Sequence, residues 1–491
     1  MTDATRAMIA ARACGAECST LAHRQSRDRS VATWLIFFVT LMLAVLVAPT
    51  PVLAQSATDD QGLWQQSTLT GDWRGARKNL QDQGFQLGLG YIAEMLSNPT
   101  GGVGQGTIYE GLVTGTVELD LEKLLKWPAA TFHVDGYQIN GRGLSQNYVG
   151  NILAVSGIEA LPSTRLHDLW VQQLAFDQKV SLRVGQIGMD DPNEFYNSQY
   201  AGLFINSTFG YPDLLAEDLP GGGPGFPFAV PGVRLRINPT DRFTLSAAVF
   251  NGTPAPPGPG NPQLRNANGT NFLIGVGGML AIAELVYSFD KESTTSTWLS
   301  DVKLGGWYHS AAFPDLHVDT IGLSLANPNS NGIPALHQAN YGPYLILDKM
   351  LWQPPNGGVR GVAAFLRVGG ALGDRNLLNL EIDTGLNAKG LLPGRPLDVA
   401  GIALGYVRIG GAARAFAADA NLFTGGAAPA VDYEAVVELT YQVNIAPWWY
   451  LQPDLQVILH PGGHAAQPPP SPAGQPIPNA LVVGLRSAIT F

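Results

Sequence analysis

Cysteine is almost absent from this chain: Cys14 and Cys18 are the only two, and both lie within the first 54 residues. The remainder therefore offers no disulfide, no thiolate metal site and no cysteine nucleophile. Long apolar runs are as scarce. Past residue 54 no unbroken stretch approaches the roughly 20 residues that a spanning helix needs. A Gly-x-Ser-x-Gly elbow, a His-Glu-x-x-His pair and a Gly-Lys phosphate loop are all missing, which excludes the commonest hydrolase and phosphoryl-transfer chemistries. His133, His167, His309, His317, His337, His460 and His464 are scattered without metal-ligand spacing, and the neighbours Asp190 and Asp191 read as solvated or calcium-touching loop carboxylates. No catalytic residue, metal ligand or cofactor is expected.

Positive charge is also short. Five Arg and three Asp or Glu fall before residue 55, leaving 24 basic side chains against 36 acidic ones. That balance argues against nucleic acid as a partner. Arg24, Arg27 and Arg29 precede an apolar run over 34–47, then Pro49, Pro51 and Val52-Leu53-Ala54. This order predicts an export leader at 1–54 cut after Ala54, with a later start codon left open.

What is present is alternation. In the final segment, Leu481, Val483, Leu485, Ile489 and Phe491 share one strand face, while Gly484, Arg486, Ala488 and Thr490 share the other with Val482. Such a strand suits a lipid-facing barrel, and the edge of a soluble sandwich is the alternative. From 85 to 491 the chain resolves into sixteen candidate strands, among them 85–95, 180–186, 232–238, 272–289, 301–310, 341–352 and 434–445, with fourteen or eighteen also open. Long joins rich in Gly, Pro and Asn alternate with short turns, as in a transmembrane antiparallel up-and-down β-barrel with both termini in the periplasm. Strand after strand places Glu, Gln, Asn or Arg on one face, which a water-filled lumen accommodates and a dry core does not. Trp448, Trp449 and Tyr450 at a short turn suit an interfacial girdle, with sugar stacking as the alternative. Residues 55–84 read as a periplasmic segment with a short helix capped by Thr70. Docking at the barrel mouth, entry into the lumen and a flexible remnant are all open.

The join 187–231 is the longest. Phe195, Tyr196, Tyr200, Phe204, Phe209 and Tyr211 make it too apolar for a freely solvated loop, so it is expected to fold back as a constriction. Packing over the outer mouth or against a neighbouring subunit is the alternative.

Particular motifs go further. Leu69-Thr70-Gly71-Asp72-Trp73, then 84–94 and Leu182-Arg183-Val184-Gly185, resemble the opening of the carbohydrate-selective porins (OprB type). The stretch 200–210, Leu219-Pro220-Gly221-Gly222-Gly223-Pro224 and Pro231-Gly232-Val233-Arg234-Leu235-Arg236 are similar to that family's inner-loop region. Gly390-Leu391-Leu392-Pro393-Gly394-Arg395-Pro396, Glu438-Leu439-Thr440-Tyr441-Gln442, 447–456 and Pro461-Gly462-Gly463 complete a match from about Trp64 to Phe491. One departure lies on the fourth strand. Members tend to carry a glutamate pair around the Trp170 position, whereas here His167, Asp168, Gln172 and Gln173 surround it.

The resemblance implies a sixteen-stranded outer-membrane channel that passes monosaccharides or other small sugars by diffusion, bedded in outer-membrane lipid. Sugars present apolar ring faces and a rim of hydroxyls, so aromatic surfaces plus Arg, Glu and Asn groups suit their passage. Arg183, Arg234 and Arg236 flank the expected constriction as donors. Glu94 and Arg486 should meet where the first and last strands close, Glu434 and Glu438 are far-wall acceptors, and Phe204 and Asn206 lie on the inner loop. Each is also readable as a mere wall charge balancing its neighbours. A porin for small organic acids and a non-channel surface protein or barrel enzyme are the other readings. Monomer and homotrimer both stay open.

Overall fold

With Leu, Val and aromatic residues on one side of each segment and small or polar residues on the other, a sheet closed on itself satisfies both faces and leaves no edge. The computed structural model describes residues 62–190, 194–289, 300–355, 358–426, 428–469 and 474–491, so the expected leader and Asp191 lie outside the described residues. Sixteen antiparallel strands form one closed barrel in which each strand pairs with its sequence neighbours and the first pairs with the last. They begin with β1 (Phe85–Thr100), β2 (Gly106–Asp120), β3 (Ala130–Gly141), β4 (Ser163–Ala175) and β5 (Val180–Ile187). There follow β6 (Val230–Ile237), β7 (Phe243–Asn251), β8 (Met279–Ser288), β9 (Asp301–Asp319), β10 (Pro334–Trp352) and β11 (Gly361–Gly370). β12 (Leu378–Lys389), β13 (Val399–Ile409), β14 (Tyr433–Ala446), β15 (Trp449–Leu459) and β16 (Ala480–Thr490) complete the wall.

The expected strand count and topology hold, and the departures have local causes. β8 starts at Met279 rather than near 272, because Gly275, Gly277 and Gly278 adopt left-handed backbone that no strand accepts. β9 and β10 run to 19 residues each, far beyond the roughly 9–11 that cross a bilayer. Their excess forms a ribbon standing above the long-loop rim. Pro314 pairs with Leu336 beside a register shift, where the ladder tolerates a missing N–H.

Closure brings Glu94 opposite Arg486, and Arg486 Nε donates to Glu94 Oε1 at 2.6 Å. Leu182, Val184, Val233 and Leu235 are exposed on the outer face, while Arg183 and Arg234 between them are buried inside.

The N-terminal helix spans Ala76–Gln83. It starts later than expected because Gly75 is left-handed (φ 87°), and Thr70 is not its cap: Thr70 Oγ1 accepts from Trp73 Nε1 and Arg77 Nη2 instead. The segment is bound to the short-turn rim. Leu69 N donates to Thr490 O, Arg77 Nη2 to Phe491 O and Trp448 Nε1 to Leu63 O, and Trp64 stacks on Trp448.

Candidate functional site: the lumen and its inward loop

Aromatic residues between β5 and β6 have one place to hide, and they take it. The 188–229 join turns into the barrel, and its rings pack against the inner wall. Tyr200, Phe204 and Phe209 pack with Phe365, Ala403 and Val436, whereas Phe195, Tyr196 and Leu214 pack with Trp307, Tyr344 and Ile346. Burying each such side chain is worth about 1.5–3 kcal/mol relative to leaving it in water. Beneath the loop the inner wall therefore carries apolar patches among its polar groups, a mixture the strand pattern alone did not reveal.

A loop without regular structure must also satisfy its backbone N–H groups. Inward acids on alternate strands do this. Glu284 on β8 accepts from Tyr196 N at 3.0 Å and from Tyr344 Oη at 2.9 Å. Asp348 on β10 accepts from Gln199 N at 3.2 Å and from Ser198 Oγ. Glu381 on β12 accepts from Asp213 N and Leu214 N, both at 3.0 Å. Glu438 on β14 accepts from Ile205 N at 2.6 Å and Asn206 N at 3.0 Å. Arg367 on β11 completes the set, donating to Tyr196 O at 3.2 Å and to Asp383 at 2.8 Å. Each hydrogen bond to a charged group adds about 1.5–3 kcal/mol. Within the loop, burial pushes the Asp213 and Asp218 carboxyls well above their ordinary range, and Glu381 adds to the effect at Asp213.

Several residues expected to face sugar are committed elsewhere. Glu434 points inward but accepts from Ile152 N, Leu153 N and Gly462 N at 2.6–2.9 Å, so it joins two other loops. Phe204 is buried with its ring 5.0 Å from Phe209. Asn206 Oδ1 accepts from Thr208 N, and its Nδ2 donates to Gln456 Oε1. Glu284, Asp348, Arg367 and Glu381 were not singled out from the sequence. Their signal was an inward acid recurring on β8, β10, β12 and β14, which becomes meaningful only once those strands face one loop.

Two wall glycines make room. A Cβ at Gly369 would lie 1.5 Å from Tyr196 Oη, and one at Gly401 would lie 2.5 Å from Leu203 Cδ2. Gly369→Val is expected to displace the Tyr196 segment and to raise single-channel conductance in planar bilayers. Unchanged conductance in a correctly folded variant would refute that placement.

On the opposite side, β5 and β6 place Arg183 directly across from Arg234. Glu194 of the loop sits among three guanidinium groups, at 3.2 Å from Arg183, 3.1 Å from Arg234 and 3.7 Å from Arg236. Gln172 accepts from Arg183 and Arg234, and the Arg183 guanidinium lies 3.8 Å over the Trp170 ring. The side chains of Arg234 and Glu194 are buried, while Arg236 keeps 27% exposure and Glu118 on β2 keeps 44%. Glu381, Glu434 and Glu438 on the far wall are by contrast fully buried.

Comparison with known proteins agrees with the fold. The sequence profile of the family described as "Carbohydrate-selective porin, OprB family" matches residues 104–491. The chain is similar to Porin B of Pseudomonas aeruginosa, with 23% identity over 448 residues covering 86% of this chain and 91% of that protein. The high-pH structure of Pseudomonas putida OprB superposes with a TM-score of 0.75 at 23% identity, covering 88% of this chain and all of that one. The low-pH structure of the same protein gives 0.53 at 16% identity, over 87% of this chain and 99% of that one.

Proposed function

The chain belongs to the OprB family of carbohydrate-selective porins, and from that premise we propose how its lumen selects. It is an outer-membrane channel for carbohydrates, not an enzyme. The arginine group around Glu194, with Trp170 beneath Arg183, carries the proposal. Three guanidinium groups against one carboxylate leave a net positive, donor-rich strip at the edge of the passage. Arg236 donates to sugar hydroxyls there, Glu118 accepts from them across the passage, and Arg183, held by Gln172 and Glu194, keeps the strip in place. Arg234, buried beneath, fixes the positions of Glu194 and Gln172. Contacts of this kind stay weak one by one, which lets the solute leave.

Glu434, Glu438, Phe204 and Asn206 then serve as the frame that holds the constriction, and Glu94 with Arg486 as the seam of the wall. The outward Leu and Val side chains meet outer-membrane lipid. One chain supplies the entire passage, so a monomer suffices for transport.

A surplus of arginine also favours anions, and small organic acids are the second reading. Liposome swelling with purified, refolded protein separates the two. Glucose, a disaccharide, an amino acid and an organic acid would be compared, the last two matched to glucose in size. Glucose is expected to enter faster than the size-matched solutes. Faster entry of the organic acid would overturn sugar preference, and rates that follow size alone would return the arginines to the role of wall charges.

A further inference from the structure

A second group of side chains in the lumen wall borders the sugar pathway just described, with His133 Nδ1 3.7 Å from Glu118. His133 and Asp135 lie two apart on β3 and so share its inner face. Across from them the ladder slips: Val134 pairs with Leu169 but Gly136 with Leu166. His167 and Asp168 thus stand together against Asp135 alone, and this bulge turns both into the barrel, where both are buried. A regular strand would have sent one of them to the lipid face. Asp190 reaches the same place from the root of the inner loop.

The distances suit a shared ion. His133 Nε2 is 3.5 Å from Asp135 Oδ2, His167 Nδ1 is 3.3 Å from Asp135 Oδ1, and His167 Nε2 is 3.5 Å from Asp190 Oδ1. His133, Asp135 and Asp168 each offer a ligand atom within 4.8 Å of the others. Donors held about 2.0–2.2 Å from one metal stand about 3.0–3.5 Å apart at octahedral or tetrahedral angles. His167 Nε2 and Asp190 Oδ1 are buried facing each other at 3.5 Å, without a well-formed hydrogen bond on either, and the His167 side chain is only 5% exposed. Among the described residues, the ion pairs of Asp135, Asp168 and Asp190 run only to the two imidazoles. Three carboxylates thus face two imidazoles with no Lys or Arg paired to them. The rings are already oriented, His133 against Trp170 at 4.5 Å and His167 against Tyr137 at 4.4 Å.

We propose that His133, Asp135 and Asp168 bind one divalent transition metal, with the His167 ring behind them linking Asp135 to Asp190 of the inner loop. Imidazole beside carboxylate selects the zinc class over calcium or magnesium. Asp168 Oδ1 also accepts from Gly188 N at 2.7 Å, so the ion would tie the root of the loop to β3 and β4. This holds whichever solute the channel carries.

Asp432, His460 and His464 also cluster, at the long-loop rim. There the two rings stack at 4.2 Å and 14°, so their in-plane lone pairs run side by side rather than converge. That cluster serves as the control.

The test is a Co²⁺ titration of the purified, chelator-treated full barrel, read by visible absorption and by competition with Zn²⁺. Saturation at a single equivalent is expected, with His133→Gln and Asp135→Asn each weakening it roughly ten- to hundred-fold. The double variant His460→Gln, His464→Gln should bind as the parent does. Circular dichroism verifies the barrel in each case, and if Asp135→Asn fails to fold, His133→Gln decides alone. No saturable binding below about 1 mM Co²⁺, or binding abolished only in the rim double variant, would overturn the site.

Discussion

Glu438→Ala is expected to release the inner loop from the far wall, roughly doubling single-channel conductance as the lumen cross-section widens, and to abolish discrimination between glucose and size-matched solutes. The carboxylate holds Ile205 N and Asn206 N, and each charge-assisted bond is worth about 1.5–3 kcal/mol. Losing both also leaves two loop N–H groups without acceptors beside a wall that is apolar at Phe365 and Val436. Glu438→Gln keeps one acceptor oxygen and should fall between the parent and alanine. Planar-bilayer recording with swelling on the same preparations reads both effects. A Glu438→Ala channel of parental conductance and selectivity would mean that the aromatic contacts of Phe204 and Phe209 hold the loop unaided.

Arg234→Ala acts on the other side of the passage and should shift ion selectivity toward cations while slowing glucose entry about ten-fold, equivalent to roughly 1.4 kcal/mol. Glu194 is buried, and removing one partner of a buried ion pair costs about 3–5 kcal/mol when nothing replaces it. Arg183 and Arg236 remain within 3.2 and 3.7 Å and soften that loss. Arg234→Lys restores the charge but not the planar fork that reaches Ser181, Gln172 and Glu194 together. It should recover ion selectivity more fully than glucose entry. The reversal potential in a KCl gradient and the swelling rate supply the two readings. Equal rescue of both would show that charge, not geometry, is what the passage uses.

The barrel was legible because its signal repeats. A period of two with lipid on one face leaves so narrow a choice of inward residues that sixteen strands stand out in a single sequence. The apolar excess of 188–229 likewise announced that this join does not lie in water. What stayed hidden was the division of labour among inward acids. Glu434 and Glu438 look like solvated lumen groups from the strand pattern, and they become buried acceptors only because loop backbone approaches them from across the barrel. The same limit concealed the β3–β4 cluster. His133 and His167 are far apart in sequence, and the single-residue slip that turns both His167 and Asp168 inward leaves no mark in composition or alternation.

Glu284, Asp348, Glu381 and Glu438 all follow, in chain order, the segment they hold, and the last seam joins Glu94 to Arg486 across 392 positions. Closing so long a span adds little entropy cost beyond that of a shorter one, since the penalty grows only with the logarithm of length, but it does make the seam a late, non-local event. A barrel already closed would have to admit a bulky aromatic segment through its own mouth. Chain order lets the later strands wrap around a segment already laid down, which would then act as a mandrel for the second half of the wall. Loosening the loop should consequently delay closure of the β1–β16 seam, and a variant chosen for its permeability would first declare itself as a slow assembler.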